Sequence, residues 1–149
     1  MTDLIEGFPD TALGRLFTAE KRSADICWFS LPGGRTLYAA GDPADMLYFV
    51  RTGRLGAVRR EEGHEQQFLG IIKPGEPAGE MALIAGTPHS ATVVALRDSE
   101  IFSMPRAAFF AEARRNPVLM AEMARLMIVR APLATVVRIA VAARQAAPN

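Results

Sequence analysis

The sequence holds a single cysteine, Cys27, and only two histidines, His64 and His89. One thiol excludes an intrachain disulfide, and no Cys-x-x-Cys pair or His/Cys cluster is present to hold a structural zinc ion. An excess of either charge is missing too: 17 basic side chains stand against 16 acidic ones, a formal net charge of +1. The long-range basic field of a nucleic-acid-binding domain is therefore absent, and no nucleic-acid partner is expected for this chain. No apolar run reaches the ~18 residues of a transmembrane helix, so membrane contact is not expected either. Residues 1–8 contain two acids and no basic segment, unlike a secretory signal. A reducing, cytoplasmic setting is the expectation. There is no Gly-x-Ser-x-Gly elbow, no P-loop and no nucleophile–base–acid set, so neither catalysis nor a resident cofactor or metal is expected.

What is present is enough apolar material for one domain: 50% of the 149 residues are hydrophobic. Residues 8–24 carry a rough helical stripe of Leu13, Leu16 and Phe17. From residue 26 short apolar runs alternate with turn signals. Runs at 26–31, 36–40, 46–51, 54–60 and 66–72 end at Pro32-Gly33-Gly34, Gly41-Asp42-Pro43, Gly53, the Glu61-Glu62-Gly63-His64 tip and Pro74-Gly75. This is the rhythm of an antiparallel sandwich or barrel. It stops after residue 76, where 79–85 suits a short helix, and resumes at 90–96 and 100–104. Pro105-Arg106 then opens a helical region with Phe109, Phe110, Leu119, Met120, Met123 and Met127 at helical spacing. Asn116-Pro117 divides it, Asn116 being placed to cap the second helix. The plan is an N-terminal helical segment (1–25), about eight strands with one inserted helix (26–104) and C-terminal helices (105–149) for a hinge, association or linker role. Cys27 and Trp28, on the first strand, are expected to pack in the core. The apolar stretch 133–143 needs a partner surface, either a second subunit or a lid over a pocket.

Two patterns occur in order. The first is Pro32-Gly33, Leu37, Gly41-Asp42, Asp45, Leu47-Tyr48-Phe49-Val50 and Gly53. The second is Gly79-Glu80-Met81-Ala82-Leu83, followed by Pro88-His89-Ser90-Ala91-Thr92-Val93. Together they resemble the cyclic nucleotide-binding domain family over about residues 10–130. The resemblance implies a mainly β double-stranded β-helix (jelly-roll or β-roll) with C-terminal helices, and residues 79–92 as its phosphate-binding cassette. The wording of 75–83, with Ala95-Leu96-Arg97-Asp98-Ser99-Glu100, looks particularly like domains that precede bacterial patatin-like esterases.

The cassette chemistry follows from its residues. Gly79 has no Cβ and allows close approach of a ligand. The unpaired N–H groups of a helix starting at Gly79-Glu80, through Met81 and Ala82, suit an anionic phosphodiester. Glu80 can accept a hydrogen bond from a ribose hydroxyl, or only cap its own helix. Ser90 and the Ala91 N–H can donate to phosphate oxygens. In the family an arginine stands nine residues after the glutamate; here the position is His89. A neutral imidazole offers one donor and no charge, and losing a charged hydrogen bond costs ~1.5–3 kcal/mol. His89 reads either as an exposed loop residue after Pro88 or as a pH-dependent phosphate contact.

The ligand-binding set is thus Gly79, Glu80, Met81, Ala82, His89, Ser90 and Ala91, and the implied ligand is cyclic AMP or cyclic GMP. Three roles follow: a sensor whose C-terminal helices shift on ligand binding, a ligand-independent dimerisation or interaction module, or the regulatory part of a larger esterase acting on a downstream effector domain.

Overall fold

The punctuation of the chain by turn residues explains its architecture. The computed structural model describes residues 12–18, 26–60 and 62–130. In chain order they form α1 (Ala12–Thr18), β1 (Cys27–Leu31), β2 (Thr36–Tyr38), β3 (Met46–Thr52), β4 (Leu55–Arg59), β5 (Gln67–Ile72), β6 (Pro77–Ala78), α2 (Glu80–Ala85), β7 (Thr92–Ala95), β8 (Ser99–Pro105), α3 (Arg106–Arg115) and α4 (Val118–Arg130). The strands make two four-stranded antiparallel sheets, ordered β1-β8-β3-β6 and β2-β7-β4-β5. The chain passes back and forth between the sheets, which gives the double-stranded β-helix, or jelly-roll. Gly53 shows why a turn residue is needed: its φ is +99°, and a Cβ there would lie 2.6 Å from the Ser99 Cα.

Strand periodicity divides the apolar residues between two cores. Leu31, Val50, Leu55, Ile72, Ala78, Val93, Ala95 and Ile101 fill the space between the sheets. The intervening positions Leu47 and Phe49 of β3 and Met104 of β8 face the other way. They join Ala12, Leu83, Phe109, Leu119 and Met123 in a second core beneath the helices. β3 and β8 are thus covered on both faces, unlike a half-solvated strand. Phe109 and Met123 are fully buried, so the helical stripe read from the sequence is core packing. The Asn116 Oδ1 accepts the Val118 N–H at 3.2 Å, as its expected capping role requires. α1 and α4 are tied by the Ala12 N–H, which donates to Glu122 Oε1 at 2.8 Å.

Two expectations change. β6 was not expected, because two residues carry no period. The predicted 8–24 helix is helical where it is described, over α1, and its remaining residues lie outside the described ones. Cys27 is exposed, and Trp28 is 52% exposed rather than in the core. β1 is an edge strand whose Phe29 and Leu31 face the inter-sheet core, while Trp28 projects to the opposite face beneath the Arg51 guanidinium, 6.0 Å from the ring centroid. The 133–143 stretch lies outside the described residues. Among the described residues no helix is long and apolar enough to cross a membrane.

Phe109→Ala is expected to cost about 3–5 kcal/mol through lost burial and a residual cavity. Trp28→Ala should cost about 1 kcal/mol or less. Urea unfolding of both variants checks the division between core and edge.

Candidate functional site

The site is built where β6 hands over to α2. Gly79 takes up a left-handed conformation (φ 83°, ψ 7°) that a side chain would disfavour, and this turns the chain into α2. The crowding there has a second cause. A Cβ on Gly79 would lie 2.9 Å from His89 Cε1, 3.6 Å from Tyr38 Cε2 and 3.7 Å from the Met46 carbonyl oxygen. α2 ends at Gly86, also left-handed, whose N–H donates to the Ala82 oxygen. Glu80 and Ala82 are buried and Met81 is half-buried.

The second half of the cassette is held by the turn after β2. The His89 N–H donates to the Asp42 oxygen (3.0 Å), and the Gly41 N–H donates to the His89 oxygen (2.8 Å). One residue pair further out, the Ala40 N–H donates to Thr92 Oγ1 (3.0 Å). Asp42 closes its own turn by accepting the Ala39 N–H on Oδ2 (3.0 Å). This clasp pins His89 inward. Its ring stacks on Tyr38 with centroids 3.7 Å apart and planes 18° apart. Tyr38 in turn stacks on Tyr48 at 5.9 Å.

His89 is 5% exposed, which corrects the plain expectation of an exposed loop residue. The backbone clasp, not the proline before it, decides its place. Ser90, beside it, is exposed, and Ala91 is half-buried. The structure therefore brings Gly79 and His89 into contact and leaves Ser90 at the rim. Sequence reasoning missed Tyr38, which floors the imidazole, and Arg106. The Arg106 Nε donates to the Leu83 oxygen at 3.0 Å, and its guanidinium lies 4.8 Å over the Phe110 ring. That arginine fastens the cassette helix to α3. Neither residue had a signal in local spacing, since both act across the fold.

The electrostatics of the site follow from burial and from the acids beside it. Desolvation pushes the His89 imidazole below its ordinary value of 6.5, against the opposing pull of Asp42 and Asp45. Desolvation and the same two carboxylates push the Tyr48 hydroxyl above its usual 10.0. At neutral pH His89 is an uncharged ring. Residues 79–92 contain no lysine or arginine, so the cassette supplies an anion with hydrogen-bond donors but no fixed cation. Two shallow cavities of about 320 and 360 Å³ lie elsewhere, one against Arg59, His64, Glu65 and Gln67, the other against Ser30–Pro32 and Asp98–Glu100. Neither touches residues 79–92.

A histidine with a lowered native pKa makes stability pH-dependent with a definite sign. Above the unfolded value of 6.5 both states are neutral and the contribution is complete. As pH falls through that value the unfolded chain gains a proton first, and stability is lost until the native pKa is passed. The melting temperature of the wild type should therefore drop more steeply between about pH 7 and pH 5 than that of His89→Phe, which keeps the stack and cannot titrate. Identical slopes would show that His89 is not desolvated.

The fold has known counterparts. The family model described as "Cyclic nucleotide-binding domain" matches residues 28–116. "Lysophospholipase nte1" of Neosartorya fischeri is 30% identical over 103 residues, 69% of this chain and 7% of that protein. "Cyclic AMP receptor protein" of Thermus thermophilus is 32% identical over 96 residues, 64% of this chain and 44% of that protein. The crystal structure of Thermus thermophilus catabolite activator protein superposes with a TM-score of 0.65 at 30% identity, covering 70% of this chain and 49% of that one. The chain thus spans less than a tenth of the lysophospholipase and about half of the bacterial regulators.

Proposed function

From the chain's membership of the cyclic nucleotide-binding domain family, we propose that it is a regulatory domain that takes cyclic AMP or cyclic GMP at residues 79–92 and passes its occupancy to α3 and α4. The carrying observation is Leu83. It belongs to the cassette helix, yet it is fully buried in the core that holds Phe109, Leu119 and Met123. A ligand that shifts α2 must repack that core, because close-packed interiors switch between arrangements rather than deform smoothly. Arg106, bonded to the Leu83 oxygen, gives the shift a second handle on α3.

In this reading the Gly79 turn admits the phosphate, the Met81, Ala82 and Ala91 amides and the Ser90 hydroxyl donate to it, and Glu80 accepts from the ribose. His89 adds a neutral donor once its ring leaves Tyr38. Affinity is modest at neutral pH for want of a cation. The likeness to a lysophospholipase more than ten times the chain's matched length supports a place as the regulatory part of a larger lipid esterase in the cytoplasm, with hydrolysis performed by other residues.

One observation favours a second reading. The Tyr38–His89 stack fills the space under Gly79, and no cationic side chain lies in the cassette. A domain so built can serve as a ligand-independent interaction or dimerisation module.

Calorimetric titration with both nucleotides separates the two. The sensor reading predicts binding that is tighter at about pH 6 than at about pH 7.5, because imidazolium assists the phosphate. It also predicts that His89→Arg tightens binding about fivefold to tenfold at neutral pH, the difference between a charge-assisted and a neutral hydrogen bond. On saturation, hydrogen exchange in α4 should change. Absence of heat for wild type and His89→Arg at both pH values would remove the sensor reading, and binding with unaltered exchange in α4 would remove the relay.

A further inference from the structure

The two sheets differ in charge. With one flanking residue at each strand end, the second sheet (β2-β7-β4-β5) covers residues 35–39, 54–60, 66–73 and 91–96. These hold Arg35, Arg54, Arg59, Arg60 and Lys73, and no aspartate or glutamate. The first sheet, bounded in the same way, holds Asp45, Glu76, Asp98 and Glu100 against Arg51 and Arg106. In a chain of net charge +1 this is a separation of charge between two layers.

The basic sheet also carries apolar side chains on its outer face. Leu55 and Ala57 of β4 face the inter-sheet core, so Gly56 and Val58 face out. Their partners on β5 are Ile71 and Phe68, which are 48% and 55% exposed. Leu96, 47% exposed, joins them. A Cβ on Gly56 would lie 2.9 Å from Leu96 Cδ2 and 3.1 Å from Phe68 Cε2, so these two side chains close over the bare backbone and leave a level strip with no groove there. One step past the Arg59–Gln67 pair, the alternation turns Arg60 outward; one step past Leu55–Ile72 stands Lys73. Both are exposed, so a cation stands at each end of the strip. On this hairpin carboxylates return only beyond those ends, at the tip (Glu62, Glu65) and at Glu76, whose Oε1 accepts the Lys73 N–H at 2.8 Å.

The same features decide what can cover the strip. The β5 edge is closed to a further strand: the register shift between Ala57 and Val58 leaves Leu69 as an extra residue, a bulge of the kind that stops edge pairing. A second copy laid face to face about a two-fold axis would set cations against cations, and its acidic sheet lies between the basic sheet and the helices. A protein segment needs a pocket for its anchoring side chains, and the strip offers none. A bare polyanion would leave Phe68, Ile71 and Leu96 in water. A fluid layer with anionic headgroups over acyl chains meets both the cations and the apolar side chains.

We propose that the outer face of the second sheet docks on an anionic lipid surface, with Phe68, Ile71 and Leu96 entering the headgroup layer and Arg60 and Lys73 drawn to its negative charge. The expectation of no membrane contact rested on the lack of a spanning helix, which a peripheral contact does not need. None of residues 79–92 takes part, so this docking stands or falls apart from nucleotide binding.

Co-sedimentation of the full chain with lipid vesicles tests it. Binding is expected to phosphatidylcholine vesicles containing about one-third phosphatidylserine, roughly tenfold or more weaker to phosphatidylcholine alone, and falling as salt is raised. Arg60→Glu with Lys73→Glu should weaken binding about tenfold or more, since each basic side chain near such a surface contributes about fivefold. Phe68→Ser with Ile71→Ser should weaken it about as much with unchanged circular dichroism, as both side chains are exposed. Trp28 is the single tryptophan and lies on the other sheet. Trp28→Phe with Phe68→Trp therefore places a lone reporter on the strip. Its fluorescence should shift to the blue with the anionic vesicles, and that of wild-type Trp28 should not. Absence of binding to the anionic vesicles, binding indifferent to either pair of substitutions, or a blue shift at Trp28 in place of the reporter would overturn the proposal.

Discussion

Leu83 is the point on which the arrangement turns. Its backbone belongs to a six-residue helix that cannot be stable alone, since a turn and a half of helix does not recover its own nucleation cost. Its side chain is fully buried among Phe49, Phe109, Leu119 and Met123. The cassette helix therefore exists because the core holds it, and the core is closed partly by the cassette helix. Gly79 and Gly86 bracket the helix in left-handed conformations and fix where it may start and stop. The proposed ligand response rests on this mutual dependence.

The second constraint is the clasp between residues 41–42 and His89. Two short backbone hydrogen bonds draw the imidazole inward onto Tyr38. The result sets two needs against each other. A buried neutral ring packs well and leaves no charge stranded, whereas an anion is best served by an exposed, charged donor. The acids at Asp42 and Asp45 tilt the ring toward protonation, and desolvation outweighs them. A difference of one charge-assisted against one neutral hydrogen bond is about 1 kcal/mol or somewhat more. That is small beside the packing energy of the cassette and large on the scale of ligand affinity. Such a site can keep its fold while its affinity is retuned by a single residue.

Much of the fold was legible because its punctuation is local. Glycine and proline turns bounded the strands, and the alternation within β3 and β8 carried the two cores. Asn116 announced its cap by type and position. Other features depend on pairing between distant residues and leave no period in the chain. β6 has only two residues. Trp28 is exposed because the topology makes β1 an edge, which its apolar sequence does not reveal. The candidate site was read at Gly79 and Glu80 from residue type, and at His89 from what the resemblance to the family implies. The burial of His89 and the part of Tyr38 required knowing that the turn at 41–42 crosses the chain at residue 89. Arg106 reads as an ordinary first-turn arginine until the Leu83 carbonyl is placed beneath it.

If the cassette helix and α4 form one packed unit, their contributions to stability cannot be independent. A double-mutant cycle on Leu83→Ala and Met123→Ala, read by urea unfolding, measures this directly. Residues that share a core are expected to show a coupling of about 0.5 kcal/mol or more. Additivity to within about 0.3 kcal/mol would mean that α2 and α4 are packed separately, and would contradict a regulatory link between them.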